Sequence, residues 1–421
     1  MNVGIIGSGG REHAICFMLK KSKKVSKIFC FPGNAGTSLI AQNINIDIDN
    51  FSEIEKNCLE KNIKMLVVGP EKPLVNGIVD HFKGKSVKVF GPDKTSSQLE
   101  GSKIFTKKIC QKNKIPSSNF KICENLNKTL DYLKNCNFPL VIKADGLASG
   151  KGVYICKNLN DAKIASKEIF DGKFGLAEQI LVEEFLDGEE MSYFIVTDGK
   201  NYKFFGTAQD HKRVGEGDTG KNTGGMGCYS PSRLLNNDLE SKIKTKIIEP
   251  TLNAIKKLGG VYKGFLYIGL MIKNNEPFLI EFNVRMGDPE CQTILPTLNT
   301  ELIDILTSCC DGTLDRLKIN FSKSKSICVV LCSKGYPEKF EKNIEIKNLD
   351  QLKLNENQNI FHAGTLKTKT GIVSNGGRVL NFVSTSNDFQ KCRKEAINLI
   401  RKLNWTNGFF RSDIGNKVIK I

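Results

Sequence analysis

With 421 residues, 40% hydrophobic and 25% charged, the chain has the make-up of a globular protein in water and is too long for one typical core, so roughly two to four domains are expected. No run approaches the roughly eighteen apolar residues of a membrane span, and the first residues lack the charged and long apolar regions of a secretory leader, which excludes a membrane partner and makes the cytoplasm the expected location. The formal charge of +17 raises nucleic acid as a ligand, but the lysines are spread over the whole length and a positive field also attracts small anions, so no nucleic-acid partner is expected.

Fourteen cysteines are scattered along the chain, adjacent only at Cys309 and Cys310, with no C-x-x-C pair and only four histidines to complete a metal site, which predicts reduced, mostly buried thiols. Cys328 and Cys332 fall inside an apolar run and read as core strand rather than a redox pair. Residues 3–6 predict a strand that ends in Gly7, Ser8, Gly9 and Gly10 and is followed by a helix over 11–19. Strand, glycine turn and helix N-terminus make an anion site. Glu12 stands where a dinucleotide fingerprint needs its third glycine, so that motif is excluded. Further strands are expected at 27–31, 65–68 and 87–90, running into the loops 32–37, 69–75 and 91–92. Strands alternating with helices predict a doubly wound parallel sheet, whose ligands bind outside the carboxyl ends of its strands. The four loops at that edge are therefore a candidate site, in a domain ending near residue 100.

A helix from about 103 to 110 and a break at 114–118 lead into a small α/β segment. In it a strand carrying Lys143 runs into Asp145, Gly146, Leu147, Ala148, Ser149, Gly150, Lys151 and Gly152, and the chain leaves as Val153, Tyr154 and Ile155. Three glycines within seven positions let backbone N–H groups approach an anion, and Lys143 and Lys151 add positive charge, which points to a lid over nucleotide phosphates. It is not a P-loop, because only three residues separate Gly146 from Gly150 and a strand follows. Taken alone, the stretch equally fits an ordinary glycine-rich hairpin with a solvated lysine.

An apolar strand at 179–182 becomes an acidic connector through Glu190, as a linker between two lobes would. After strands at 193–196 and 203–206, six glycines between Gly215 and Gly227 predict a long functional loop with no core element, and Asp210, His211, Lys212 and Arg213 are its candidate functional residues. A helix over 243–258 precedes strands at 264–272 and 277–285. Alternate strand residues share a face, so Glu281, Asn283 and Arg285 project together, and the first two suit Mg²⁺ held otherwise by phosphates and water; a solvated sheet edge would carry such residues too. A helix over 301–311, a lysine- and serine-rich boundary at 318–326, strands at 327–332 and 376–383 and a helix over 389–403 complete the chain.

With these segments in order, the chain resembles the ATP-grasp superfamily and, within it, the family of phosphoribosylamine–glycine ligases. The matching stretches are 7–14, 32–37, 69–75, the lid, 209–215, 222–227, 281–290 and 361–365. The resemblance implies an α/β fold with an N-terminal doubly wound parallel sheet (1–100), a central two-lobed ATP-grasp fold (101–320, lid lobe about 115–190) and a small C-terminal α+β domain (321–421). It implies ATP with Mg²⁺ or Mn²⁺, the small-molecule partners glycine and 5-phosphoribosylamine, and a monomer.

By the same resemblance Lys103 and Lys143 contact ATP phosphates beside the lid residues Gly146, Gly150 and Lys151, the main chain at Glu183 and Leu186 holds adenine, and Glu190 holds the ribose. Glu281 and Asn283 match the metal ligands. Asp210 and Arg285 would hold glycine and, with Lys143, form the catalytic set. Gly9, Gly10, Gly33, Asn34, Gly36, Pro70, Glu71 and Lys72 would hold phosphoribosylamine. The chain departs from the family in having Met286 for a usual Phe and cysteines at 228 and 291 for small residues. Tyr267, Ile268 and Gly269 stand where some ATP-grasp relatives carry a further carboxylate. The implied reaction passes through glycyl phosphate, which demands positioning and charge neutralisation rather than a protein nucleophile.

Overall fold

Val3, Ile5 and Ile6 are fully buried because the strand Asn2–Gly7 has parallel neighbours on both sides, Lys27–Pro32 and Ile63–Val68. Gln42–Asn43 and Lys88–Phe90 close the edges of a five-stranded parallel sheet. Side-chain alternation feeds two different cores. Val3, Ile5, Cys30, Met65 and Val67 face one, with the helix Gly10–Lys20, while Ile6, Phe31, Leu66 and Val68 face the other, with Phe51–Glu60. The computed structural model describes residues 1–147 and 152–419.

A four-stranded antiparallel sheet, ordered Phe120–Cys123, Ile180–Glu184, Leu140–Ala144, Val153–Cys156, has a separate small core under the helices Leu126–Leu133 and Leu159–Phe170. The larger sheet runs through Glu276–Asn283, Gly264–Lys273, Glu189–Thr197, Tyr202–Asp210, Gly227–Ser230, Lys325–Ser333, Arg378–Ser386 and Gln358–His362. It therefore passes without a break from the central domain into the C-terminal one.

The joint is Gly227–Ser230, a fully buried strand at the end of the glycine-rich stretch that the sequence predicts to hold no core element. That expectation is corrected in two ways. Met226 and Gly227, the last residues of that stretch, are buried in the core, and Gly227 admits the neighbouring strand so closely that a Cβ there would lie 2.7 Å from the Cys328 carbonyl oxygen. The earlier glycines, with positive φ at Gly217 and Gly220, shape a hairpin of Arg213–Gly215 and Thr219–Asn222 rather than a free loop. Its tip is pinned by the C-terminal segment. Arg411, whose side chain is 2% exposed, pairs with Asp218 at 2.8 Å and Asp413 at 2.7 Å, and Gly217 donates to Asp413 at 2.9 Å. Arg411→Ala removes the buried guanidinium that joins the exposed Asp218 to the half-buried Asp413, so a loss of roughly 1–2 kcal/mol and new protease cleavage between 215 and 227 are expected. Cleavage no faster than in the native protein would show that the hairpin holds itself.

The helix expected over 243–258 starts earlier and is not uniform: Asn237–Ile243 and Glu249–Lys257 are α-helical and Lys244–Ile248 is a π turn. Pro250 lacks the N–H that a regular ladder would need, and the widened turn absorbs the loss.

N-terminal and C-terminal domains meet at two buried rings. His13 Nδ1 accepts from the His362 backbone N–H at 2.9 Å, and Asn34 donates to the His362 carbonyl at 2.8 Å. Burial, then the neighbouring ring, pushes His13 down to about 3, and burial takes His362 to about 4. Both rings are neutral when folded, whereas unfolded histidine binds a proton near pH 6.5. The unfolded state thus gains protons first on acidification, so stability that is complete above pH 6.5 falls towards pH 4 by about 1.4 kcal/mol per unit per ring. Urea midpoints at pH 7, 5.5 and 4.5 should show the decline, and His13→Gln should lessen its slope. A decline equally steep in the variant would refute this contribution.

Candidate active site

A cavity of about 1150 Å³ opens where the three parts of the chain meet. At one end lies Lys143, in the middle of the lid sheet, with its ammonium 2.9 Å from the Glu183 carboxylate. Lys107, on the helix Lys103–Lys112, approaches the other Glu183 oxygen at 3.1 Å, and Ser118 donates to it at 2.5 Å. Burial alone would raise the Glu183 carboxyl, but the two lysines and the serine outweigh it and hold it below the usual range. The helix starts at Ser102, whose hydroxyl caps Phe105 N at 3.0 Å and donates to Asp145 at 3.0 Å; Asp145 in turn accepts from Ile104 N at 3.1 Å. The lid strand is thereby clamped to the helix start, and Lys103 Nζ donates to the Gly146 carbonyl at 2.8 Å. Lys103, Lys107 and Lys143 line this end, and burial lowers the proton affinity of the first two. Leu186 and Glu190 line it as well.

The metal-candidate strand owes its geometry to a bulge. The register of Gly264–Lys273 against Glu276–Asn283 shifts between Gly269 and Leu270, so Leu279 is buried, then Phe282 and Val284, while Glu281, Asn283 and Arg285 all reach the cavity. Burial opposes ionisation of Glu281, but Lys212, Lys143, Lys103 and Arg285 outweigh it and hold the carboxyl below its usual range. Among the described residues none of these cations closes to an ion pair with Glu281. Asn283 Oδ1 accepts once, from Arg285 at 3.2 Å, leaving a lone pair. An ionised carboxylate and a half-used amide oxygen facing a phosphate-sized space fit one hard divalent cation that keeps its other places for phosphate and water.

Arg285 is more committed than its position on the strand suggests. It donates to Glu71 at 3.2 Å, Glu100 at 2.7 Å, Asn283 at 3.2 Å and the Met286 carbonyl at 3.2 Å. A guanidinium has five N–H donors, so one remains. Burial disfavours its charge, yet Glu100 and Glu71 more than compensate and its proton affinity rises. Burial pushes Glu100 up to about 7 against the pull of Arg285.

Asp210 ends the strand Tyr202–Asp210, and alternation sends Asp210 and Lys212 to the cavity but His211 away from it. His211 is 4% exposed and accepts from Gly415 N at 3.3 Å. It ties down the C-terminal segment, which corrects its standing as a candidate functional residue. Lys212 reaches Glu190 at 2.7 Å.

At the far end Glu12 fills the space under the N-terminal loops. It accepts from Gly9 N at 2.6 Å and from Arg11 Nε at 2.6 Å, and a Cβ at Gly69 would lie 2.0 Å from its Oε1. The glycines that the sequence marks as an anion turn thus also make room for a buried acid. Gly9, Pro70 and Glu71 line the cavity. Among the described residues, Gly10, Gly33, Asn34, Gly36 and Lys72 are not part of its wall: Gly10 packs on Asn381 and Gln292, the Asn34 side chain braces its own loop, Gly36 packs on His13, and Lys72 pairs with Asp49 at 2.5 Å. Gly91 of the fourth loop backs onto Gly264 instead. Gly150 and Lys151 lie outside the described residues. Sequence reasoning missed Glu12, Glu100, Lys107, Glu290 and Arg378, all of which line the cavity. Lys107, four residues after Lys103 on one helix face, carried a readable signal; Arg378, in a strand of the C-terminal domain, carried none.

A two-lobed fold that encloses lysines under a lid sheet and a Glu-x-Asn strand on a larger sheet defines an ATP-grasp protein. The family described as phosphoribosylglycinamide synthetase matches in three parts, its N domain at 1–100, its ATP-grasp (A) domain at 101–291 and its C domain at 326–417. The phosphoribosylamine–glycine ligase of Brucella melitensis is 40% identical and that of Haemophilus influenzae 41% identical, each over 100% of this chain and 99% of its own. The crystal structure of phosphoribosylamine–glycine ligase from Thermotoga maritima superposes with a TM-score of 0.85 at 33% identity, covering 99% of this chain and 100% of that one. The chain belongs to the phosphoribosylglycinamide synthetase family. Met286, Cys228 and Cys291, where the resemblance leads one to expect other residues, are buried in the shared core.

Proposed function

We propose that the protein joins glycine to 5-phosphoribosylamine, using ATP, to give glycinamide ribonucleotide, ADP and phosphate in purine biosynthesis. The observation that carries this reading is the single cavity whose wall runs from Lys103 and Lys143 through Glu281, Asn283 and Asp210 to Gly9 and Glu71. ATP lies at the lysine end, its phosphates on Lys103, Lys143 and the Gly146 turn; Gly150 and Lys151 are assigned to the same phosphates by the resemblance alone. Its adenine rests against the main chain of Glu183 and Leu186, and its ribose on Glu190. Glu281 and Asn283 hold Mg²⁺ or Mn²⁺, which neutralises phosphate charge when bound. Glycine sits at Asp210 and the remaining N–H of Arg285. One glycine carboxylate oxygen attacks the γ-phosphorus, and ADP departs. The amine of phosphoribosylamine, held by the N-terminal loops at Gly9, Pro70 and Glu71, then attacks the glycyl carbon, phosphate leaves, and the amine proton passes to solvent. Gly10, Gly33, Asn34 and Gly36 shape those loops from behind.

The proposed division into 1–100, 101–320 with its lid lobe at about 115–190, and 321–421 is supported by the three family segments, and a monomer by the resemblance. A cytoplasmic setting accords with fourteen cysteines, all free thiols in the structure. Among the described residues no helix is long and apolar enough to cross a membrane. Release of phosphate from ATP, Mg²⁺, glycine and freshly generated phosphoribosylamine, omitting each in turn, tests the reading. Release that does not depend on glycine would refute it.

A further inference from the structure

Every cation around the middle of the cavity is already committed to an acid or a carbonyl. Lys212 pairs with Glu190 at 2.7 Å, Arg285 with Glu100 at 2.7 Å and Glu71 at 3.2 Å, and Arg378 with Asp288 at 3.4 Å and with the Asp288 carbonyl at 2.6 Å. Besides Glu281, proposed above for the metal, two buried carboxylates of the cavity wall are left without an ion-pair partner. Asp210 Oδ1 is shut off from solvent and has no hydrogen-bond partner among the described residues. Glu290 is 4% exposed, and its Oε1 accepts only from Ser192 at 3.2 Å, whose single proton is shared with a second acceptor, Tyr267 OH, also at 3.2 Å.

The backbone has been shaped to admit both groups. Gly225, with φ +110, lies so close that a Cβ would be 2.8 Å from Asp210 Oδ1, and a Cβ at Gly287 would be 2.2 Å from Glu290 Oε2. Either substitution would drive its carboxylate out of place. Two buried, under-partnered carboxylates in one cavity are costly unless a cation with several N–H donors joins them.

We propose that Glu290 is the second carboxylate of the seat for the ammonium group of glycine, acting beside Asp210. This rests on the function proposed above and adds a residue that it does not assign. An ammonium has three N–H donors in a compact head, which one aspartate cannot satisfy. Burial and then the nearby Glu290 charge hold the Asp210 carboxyl well above the usual range, and burial raises Glu290 against its own backbone N–H and then the pull of Lys212 and Arg285; Asp288, Arg378, Tyr267, Cys228, Cys291 and Cys328 are the other titratable groups around the pair. The seat selects a charged amine over a neutral group of the same size.

Steady-state ADP formation with glycine varied at saturating ATP, Mg²⁺ and phosphoribosylamine tests the assignment. Glu290→Gln should raise the glycine KM by about tenfold or more while the KM for ATP moves less than about threefold. Glycolate, which offers a hydroxyl in place of the ammonium, should be a poor inhibitor of the native enzyme, and the gap between glycine and glycolate should narrow in Glu290→Gln and reopen in part in Glu290→Asp. A merely structural role would weaken glycine and glycolate alike, and that outcome, or an unchanged glycine KM, overturns the proposal. If the native enzyme forms no ADP in response to glycine, the proposed function itself has failed, a result distinct from an active enzyme indifferent to Glu290.

Discussion

Glu281→Gln is expected to lower kcat by at least about 100-fold at limiting Mg²⁺, while the urea midpoint moves by no more than about 1 kcal/mol in stability. The asymmetry follows from the two jobs of the side chain. Gln has nearly the same shape and fills the same place beside Phe282, so packing is kept. The four cations around Glu281 lose a charge they do not directly touch, which costs the fold something, because the folded state holds this carboxyl below its usual range. On the proposed function, the cation that brings the γ-phosphate to glycine would lose its one charged protein ligand, and an amide oxygen cannot replace a carboxylate in neutralising a developing phosphoryl charge. Raising Mg²⁺ should recover part of the rate. Activity that stays the same at limiting Mg²⁺ would remove Glu281 from the metal site.

Asp210→Asn is expected to raise the glycine KM by roughly 10- to 100-fold, equivalent to the 1.5–3 kcal/mol of a charge-assisted hydrogen bond, and to leave ATP and phosphoribosylamine much less affected. The orphaned Oδ1 is what sharpens the expectation: it has no protein partner to lose, so the change falls on the ligand. Arg285→Lys should lower kcat rather than KM alone. The guanidinium holds Glu71, Glu100 and Asn283 at once, and a single ammonium cannot satisfy that fork. Part of the Arg285→Lys effect will therefore be disorder in the partners of Arg285 rather than loss of a glycine contact, and a shift in the phosphoribosylamine KM through Glu71 is expected with it. If Asp210→Asn left glycine saturation unchanged and weakened phosphoribosylamine instead, the two substrates would have to exchange places.

The parallel N-terminal sheet was legible because its strands are short apolar runs ending at glycines, and alternation fixed the common face of Glu281 and Asn283. Those features depend on neighbours along the chain. The hairpin at 213–222 and the buried strand Gly227–Ser230 were not legible, because six glycines give no local preference and the partners that order them, Arg411 and Ser326 to Val329, lie about a hundred residues or more away. The role of His211 was misjudged for the same reason: its polarity signalled a site, while Gly415, distant in sequence, made it a tie.

The sequence by itself determined the parallel sheet, the lid's lysines and the Glu-x-Asn pair, since each follows from periodicity, glycine placement and charge over a few consecutive residues. Only the tertiary structure decided which acids are neutralised. Glu71 and Glu100 come from the N-terminal third to neutralise Arg285, Glu190 takes Lys212, and Asp210, Glu281 and Glu290 remain without an ion-pair partner. Charge pairing over such separations depends on which side chains the fold brings within a few ångströms in a dry cavity, where Coulomb energies are largest, and no local pattern encodes that outcome.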